Sequence, residues 1–161
     1  MTVRADRDDA VWVGLDLGTG SARAIAVSAA GQVLGRGAEP LAGRREDDRH
    51  EQDPHDWWYA LARASRAALA QVEPRRISGV AADSTSGSIV LVDPNGDPLS
   101  AGVMYDDRRA TDQALRANEV GEEVWSSLGY RMQPGWGLPK LLWLIEHEGH
   151  LPNARLANQA D

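Results

Sequence analysis

The sequence predicts an α/β fold: a mixed sheet that opens with an antiparallel meander and carries helices packed on it. Three observations predict it. Residues 11–27, VWVGLDLGTGSARAIAV, are two apolar runs joined by a tight glycine turn, with a third strand pattern directly after. A helix with a clear start signal follows at Asp53 and Pro54. Short apolar runs at 77–82 and 89–92 then give way to segments of helical composition.

In chain order, the first strand ends at Asp16, and Gly18-Thr19-Gly20-Ser21 turns the chain into a second strand that begins near Ala22. A turn at 29–32 sends residues 33–38 back as the third strand. The polar stretch 39–52, with Pro40 and Gly43, reads as a surface loop. In the helix, Asp53 can cap, Pro54 suits the first position and Asp56 sits in the first turn. Trp57, Leu61, Ala64, Ala68 and Leu69 recur at helical spacing and face the sheet through about Val72. Trp57 and Trp58 read as packing rather than ligand stacking. Residues 77–82 and 89–92 read as buried strands, separated by a hydroxyl-lined bend at 83–88. Asn95-Gly96 marks a hairpin turn, and residues 102–105 make one more short strand. Residues 110–118, 122–128 and 138–148 read as helices, the last with Leu141, Leu142 and Ile145 on one face.

Composition narrows the function. A chain of 161 residues can bury roughly 70% of its unfolded surface and needs no staples. It has no cysteine and only four scattered histidines, which excludes disulfides and thiolate metal sites and makes zinc a poor fit. A net charge of −7 argues against a nucleic-acid surface, and no run approaches the ~20 apolar residues of a membrane span. Residues 1–10 are charged and lack a signal-peptide core, so they read as a loose leader on a cytoplasmic protein.

Three polar clusters interrupt apolar elements: 16–21, 83–88 and 105–109. Each follows or ends a strand, which predicts that they converge on one sheet edge. The first suits phosphate, because glycines let backbone amides approach an anion while Thr19 and Ser21 add hydroxyls and Asp16 can hold a hydrated cation. It is not a Walker loop, since G-x-x-x-x-G-K-[ST] is missing. The second suits a polyol or sugar. In the third, Asp107 and Arg109 read as an internal ion pair that fixes a loop. An ordinary hairpin and an ordinary polar bend remain the bland readings of the first two.

Together and in this order, the clusters resemble the N-terminal domain of the FGGY carbohydrate kinases, within the actin-like ATPase group built on the ribonuclease H fold. DLGTGSARA is similar to the phosphate signature at Asp16, Gly18, Thr19, Ser21 and Arg23, departing at Gly20, where several relatives carry a hydroxyl residue. HEQDPHDWW (50–58) resembles the segment that opens the first helix, and DSTSGSIVLVD (83–93) the sugar-contacting turn and its strand. MYDDRRA is similar to the W-x-D-x-R element, with Tyr105 in the aromatic place, and LPKLLWLIEHEGHLPNA (138–154) to a following helix and loop. The wording is nearest to the ribulokinase and xylulokinase type. The Arg-Glu pair of glycerol kinases would fall at Ser86 and Gly87, which makes glycerol a poor substrate.

The resemblance implies an incomplete ribonuclease H-like domain over residues 11–161. It implies transfer of the ATP γ-phosphoryl group to a hydroxyl of a ketopentose, of the D-ribulose or D-xylulose type, with ATP and Mg2+ as cofactors. Asp16 would organise magnesium through water, and Gly18, Thr19, Gly20 and Ser21 would meet the phosphates, while Arg23 braces the hairpin. Ser86, Thr85 and Asp83 would contact the sugar, and Trp57 and Tyr105 could wall its pocket, although packing accounts for both. The general base and the second ATP clamp belong to sequence not included in these residues, and Asp161 matches a structural position, so the chain alone is expected to be nearly inert. The expected partner is a small-molecule sugar, with no nucleic acid and no membrane, and a homodimer is compatible with the sequence. A catalytically dead sugar-binding or regulatory module is a competing reading. So is a non-kinase actin-like ATPase, which would share the D-x-G-T turn but lack the elements at 105–109 and 140–144.

Overall fold

A computed structural model describes residues 9–149 and 151–161. The expected leader lies outside the described residues up to position 8. Asp9 carries an ion pair with Arg76 at 2.7 Å, and the Ala10 carbonyl accepts from the Ala29 amide at 3.1 Å. Along the chain run β1 (Val11–Leu17), β2 (Ser21–Ser28), β3 (Val33–Pro40), β4 (Arg44–Glu46), β5 (Arg49–Gln52) and α1 (Pro54–Ala68). They are followed by β6 (Ile77–Ser84), β7 (Ile89–Val92), β8 (Gly102–Val103), α2 (Thr111–Val120), α3 (Glu122–Leu128), α4 (Gly137–His147) and β9 (Arg155–Asn158). These elements form two compact units, one from the chain up to Ala42 with His55–Ser84, the other from Gly43–Pro54 with Thr85–Gln159.

The first unit holds a mixed sheet in the order β3-β2-β1-β6. β1, β2 and β3 are the expected antiparallel meander, and β6 runs parallel to β1. Alternation in β1 buries Val11 and Val13 and leaves Trp12 outside, as a half-solvated strand requires. α1 lies on the sheet through small residues: Ala64 and Ala68 are buried against Ala24 and Leu15. The approach depends on two glycines of β3. A Cβ on Gly35 would stand 2.1 Å from the Ala68 carbonyl oxygen, and one on Gly37 1.9 Å from that of Ala64. Val11, Ala26 and Val72, with Leu34, Leu69 and Ile77, close the other end of this core.

The second unit holds an antiparallel sheet in the order β4-β5-β8-β7-β9, with α2, α3 and α4. Ile89, Leu91, Val103 and Leu144 form its core, with Leu141, Trp143 and Leu151 packed on them. Gln113 and Arg116 of α2 both bond to Glu146 of α4.

Several expectations are corrected. Residues 39–52 are not one loop: β3 continues to Pro40, and β4 and β5 form a hairpin. Their polar composition hid this because buried His50 takes its partners from residues 104–107, far along the chain. β6 is an edge strand rather than a buried one, with Val80 63% exposed. Trp57 is buried, but Trp58 is 71% exposed and does not pack on the sheet. α4 turns Pro139, Lys140 and Leu144 inward, while Ile145 is 59% exposed. β9 carries no strong strand pattern and is specified by pairing with β7.

Candidate functional site

In the first unit, the tip of the β1–β2 hairpin is closed by the Gly18 amide, which donates to the Ser21 carbonyl at 3.0 Å. That bond engages one of the amides expected to meet phosphate. The Gly20 carbonyl accepts from the Leu41 amide at 3.0 Å, tying the turn to the end of β3. A Cβ on Gly20 would meet nothing within 4 Å, so packing does not require glycine there. Asp16 and Arg23 face each other across the hairpin, with Arg23 Nη1 donating to Asp16 Oδ2 at 3.0 Å. Arg23 Nε also donates to Ser21 Oγ at 3.2 Å. One guanidinium thus braces both strands, and the Ser21 hydroxyl keeps its own proton to donate.

Asp16 is also the register partner of Asp83 on parallel β6. Register partners point to the same face, so two carboxylates stand side by side where these strands end. Asp83 Oδ1 accepts from the Ser84 amide at 2.9 Å. Two carboxylates supply the hard oxygen donors that magnesium takes, and that ion keeps several waters, so the donor set fits it. Among the described residues no group of three or more His, Cys, Asp or Glu could cage a metal.

In the second unit, residues 85–88 form a turn in which Gly87 has φ +81°, a conformation that favours glycine, and the Ser88 amide meets the Thr85 carbonyl at 3.4 Å. Ser86 is exposed at its tip, and Ser88 is fully buried. Tyr105 lies against this turn: a Cβ on Gly87 would be 3.8 Å from the Tyr105 Cβ, and one on Gly135 2.7 Å from its carbonyl oxygen. The clusters at 16–21 and 83 therefore belong to one sheet and those at 85–88 and 105–109 to the other, which corrects the expectation of a single sheet edge.

Asp107 is fully buried and accepts from the His50 amide at 2.7 Å and from Arg109 Nη2 at 2.6 Å. Arg109 continues to Glu51 at 2.7 Å and lies over the Trp143 ring, 4.8 Å from its centre. Burial opposes the Arg109 charge, but bonds to Asp107 and Glu51 outweigh it and hold the pKa above its usual value. Asp106 is half-shielded, which acts to raise its carboxyl, yet His50 and Arg45, each at 2.6 Å, hold it below the ordinary range. This network is the internal ion pair expected of residues 107 and 109, and it fixes the backbone on either side of Tyr105.

Sequence reasoning missed Lys140. The one lysine in the chain is fully buried, and its Nζ donates to the carbonyls of Gly87, of Met104 at 2.9 Å and of Val103 at 3.4 Å. Burial pushes it down to about 8, with Asp107 and Asp106 resisting and Arg109 adding to the fall. A charged residue amid an otherwise apolar helical segment was the available signal.

Residues 11–155 match the model of the FGGY family of carbohydrate kinases, N-terminal domain. The chain belongs to this family. It is 30% identical over 147 residues to a xylulose kinase of Staphylococcus epidermidis, covering 89% of this chain and 29% of that protein. It is 32% identical to an FGGY carbohydrate kinase domain-containing protein of Homo sapiens, covering 84% of this chain and 26% of that one. The fold is similar to that of a xyloylose kinase from Brucella ovis, with a TM-score of 0.84 and 24% identity over 94% of this chain and 32% of that one. This FGGY chain thus spans less than a third of the curated relatives it matches. The ribonuclease H-like class expected from the sequence agrees with these neighbours. No helix among the described residues is long and apolar enough to cross a membrane.

Proposed function

We propose that the protein carrying this chain is a cytoplasmic sugar kinase that transfers the γ-phosphoryl group of ATP to a hydroxyl of a ketopentose, D-xylulose or D-ribulose. The observation that carries the reading is the carboxylate pair of Asp16 and Asp83 beside a glycine-threonine turn, within a chain that matches the FGGY N-terminal domain over residues 11–155. Phosphoryl transfer is mainly positioning and charge neutralisation, and this unit is built for both.

In this reading Asp16 would hold magnesium, and Asp83 would add a second carboxylate while remaining a candidate sugar contact. Magnesium, when bound, supplies positive charge against the phosphate oxygens. Thr19 and Ser21 offer hydroxyls to the phosphates. Gly18 and Gly20 keep side-chain bulk away from them, while Arg23 fixes the angle of the hairpin. Ser86 and Thr85 orient the sugar, and Tyr105 limits one side of its site. Small hydroxyl side chains at this turn leave room for a substrate longer than glycerol. Holding acceptor and donor in line contributes much of the rate, so the 161-residue chain by itself is expected to transfer nothing measurable.

The test is ADP release by the full-length protein with ATP, magnesium and a panel of D-xylulose, D-ribulose, L-ribulose and glycerol. Turnover with a pentulose and little with glycerol is expected. Turnover with glycerol alone overturns the substrate class, and saturable sugar binding without any ADP release favours a sugar-binding module instead.

A further inference from the structure

We propose that Lys140 is a positioning residue for the sugar: its ammonium sets the backbone of the 85–88 turn from which Ser86 reaches the substrate. The inference rests on the function proposed above. Lys140 lies on the inward face of α4 beside Leu144, and none of its surface is exposed. An ammonium has three N–H groups, and here three carbonyls receive them: Gly87, Met104 and Val103. These acceptors come from two segments, 53 and 36 to 37 residues away in sequence. One charge therefore ties α4 to the turn that carries Ser86 and to the residue that precedes Tyr105.

The placement is costly, which is why it calls for a purpose. A methionine or leucine would fill the same space without desolvating a charge. An apolar side chain, however, would leave the Gly87 carbonyl without this donor, and the turn would lose its tie to α4. Gly87 already has a left-handed backbone, so the direction of its carbonyl is fixed by that conformation together with this bond. The Met104 carbonyl is shared with the Asp107 amide at 3.0 Å, which couples the lysine to the ion-pair network behind Tyr105. Ser86 is one residue from the anchored carbonyl and itself exposed, so a loosened turn would misplace its hydroxyl without opening the core.

The test uses the full-length protein with Lys140→Met, Lys140→Arg, Ser86→Ala and the double variant Lys140→Met/Ser86→Ala. Lys140→Met is expected to raise KM for the sugar about tenfold or more, the effect of losing the charge-assisted hydrogen bond to the Gly87 carbonyl, while KM for ATP moves less than about twofold. Lys140→Arg, which keeps the charge and the donors, is expected to recover part of the change. The double variant is expected to be no worse than the weaker single variant, because both act through one turn. Equal rises in both KM values, additive effects in the cycle, or a lowered unfolding midpoint with unchanged sugar KM would overturn the inference and leave Lys140 a packing residue. Should Lys140→Met fail to fold, Lys140→Arg and the neutral polar variant Lys140→Gln decide together: a sugar KM raised more by Lys140→Gln than by Lys140→Arg supports a charge requirement, and equal values contradict it. A wild-type protein that phosphorylates no sugar would sink the function proposed above; an active wild type with additive variants would sink the Lys140 inference alone.

Discussion

Asp107 and Arg109 form a buried ion pair at 2.6 Å that also holds the backbone amide of His50, so one carboxylate joins β5 to the loop after β8. Replacing one member of a buried pair leaves the other uncompensated. Asp107→Asn should therefore cost roughly 3–5 kcal/mol, read from urea unfolding. A loss below about 1 kcal/mol would mean that Glu51 and the Trp143 ring satisfy Arg109 alone.

Two glycines make opposite predictions. Gly37→Ala places a methyl 1.9 Å from the Ala64 carbonyl oxygen, which forces α1 off the sheet and should cost at least about 2 kcal/mol. Gly20→Ser meets no neighbour within 4 Å and should leave the unfolding midpoint unchanged while adding a hydroxyl at the turn proposed to meet phosphate. Thermal unfolding of the two variants beside the wild type checks both.

The pH dependence of stability follows from Lys140. Its folded pKa of about 8 lies below the ordinary 10.5, so between those values the unfolded chain binds more protons and the contribution of this group to stability rises with pH. The stability of the wild type relative to Lys140→Met should therefore increase from pH 8 towards pH 10.5. Asp106 acts in the same sense in the acid range: its lowered carboxyl stabilises the fold above the ordinary value of 3.8, and that contribution is lost as pH falls through the folded value. Urea midpoints of both proteins from pH 8 to pH 10.5 check the lysine, and those of the wild type through pH 3.8 and below check Asp106.

Much of the architecture was legible because it is local. The β1–β2 hairpin, the Pro54 helix start and the Asn95-Gly96 turn each follow from a few adjacent residues, and all three stand where their patterns put them. The β4–β5 hairpin and β9 were hidden because their strands are stabilised by distant partners rather than by an apolar alternation of their own. The site divides in the same way. Asp16, Thr19 and Ser86 stand out by type and spacing, whereas the Asp16–Asp83 register and the three hydrogen bonds of Lys140 exist only once the chain is folded.

In the proposed function, Asp16 serves the reaction rather than the core. Its side chain is about half exposed, and its ion pair with Arg23 is similarly exposed, so removing its charge should cost little stability. The most direct measurement is kcat and the urea midpoint of Asp16→Asn in the full-length protein. A fall in kcat by orders of magnitude with the midpoint nearly unchanged is the predicted result. Unchanged turnover, or a loss of activity matched by a loss of stability, would contradict it.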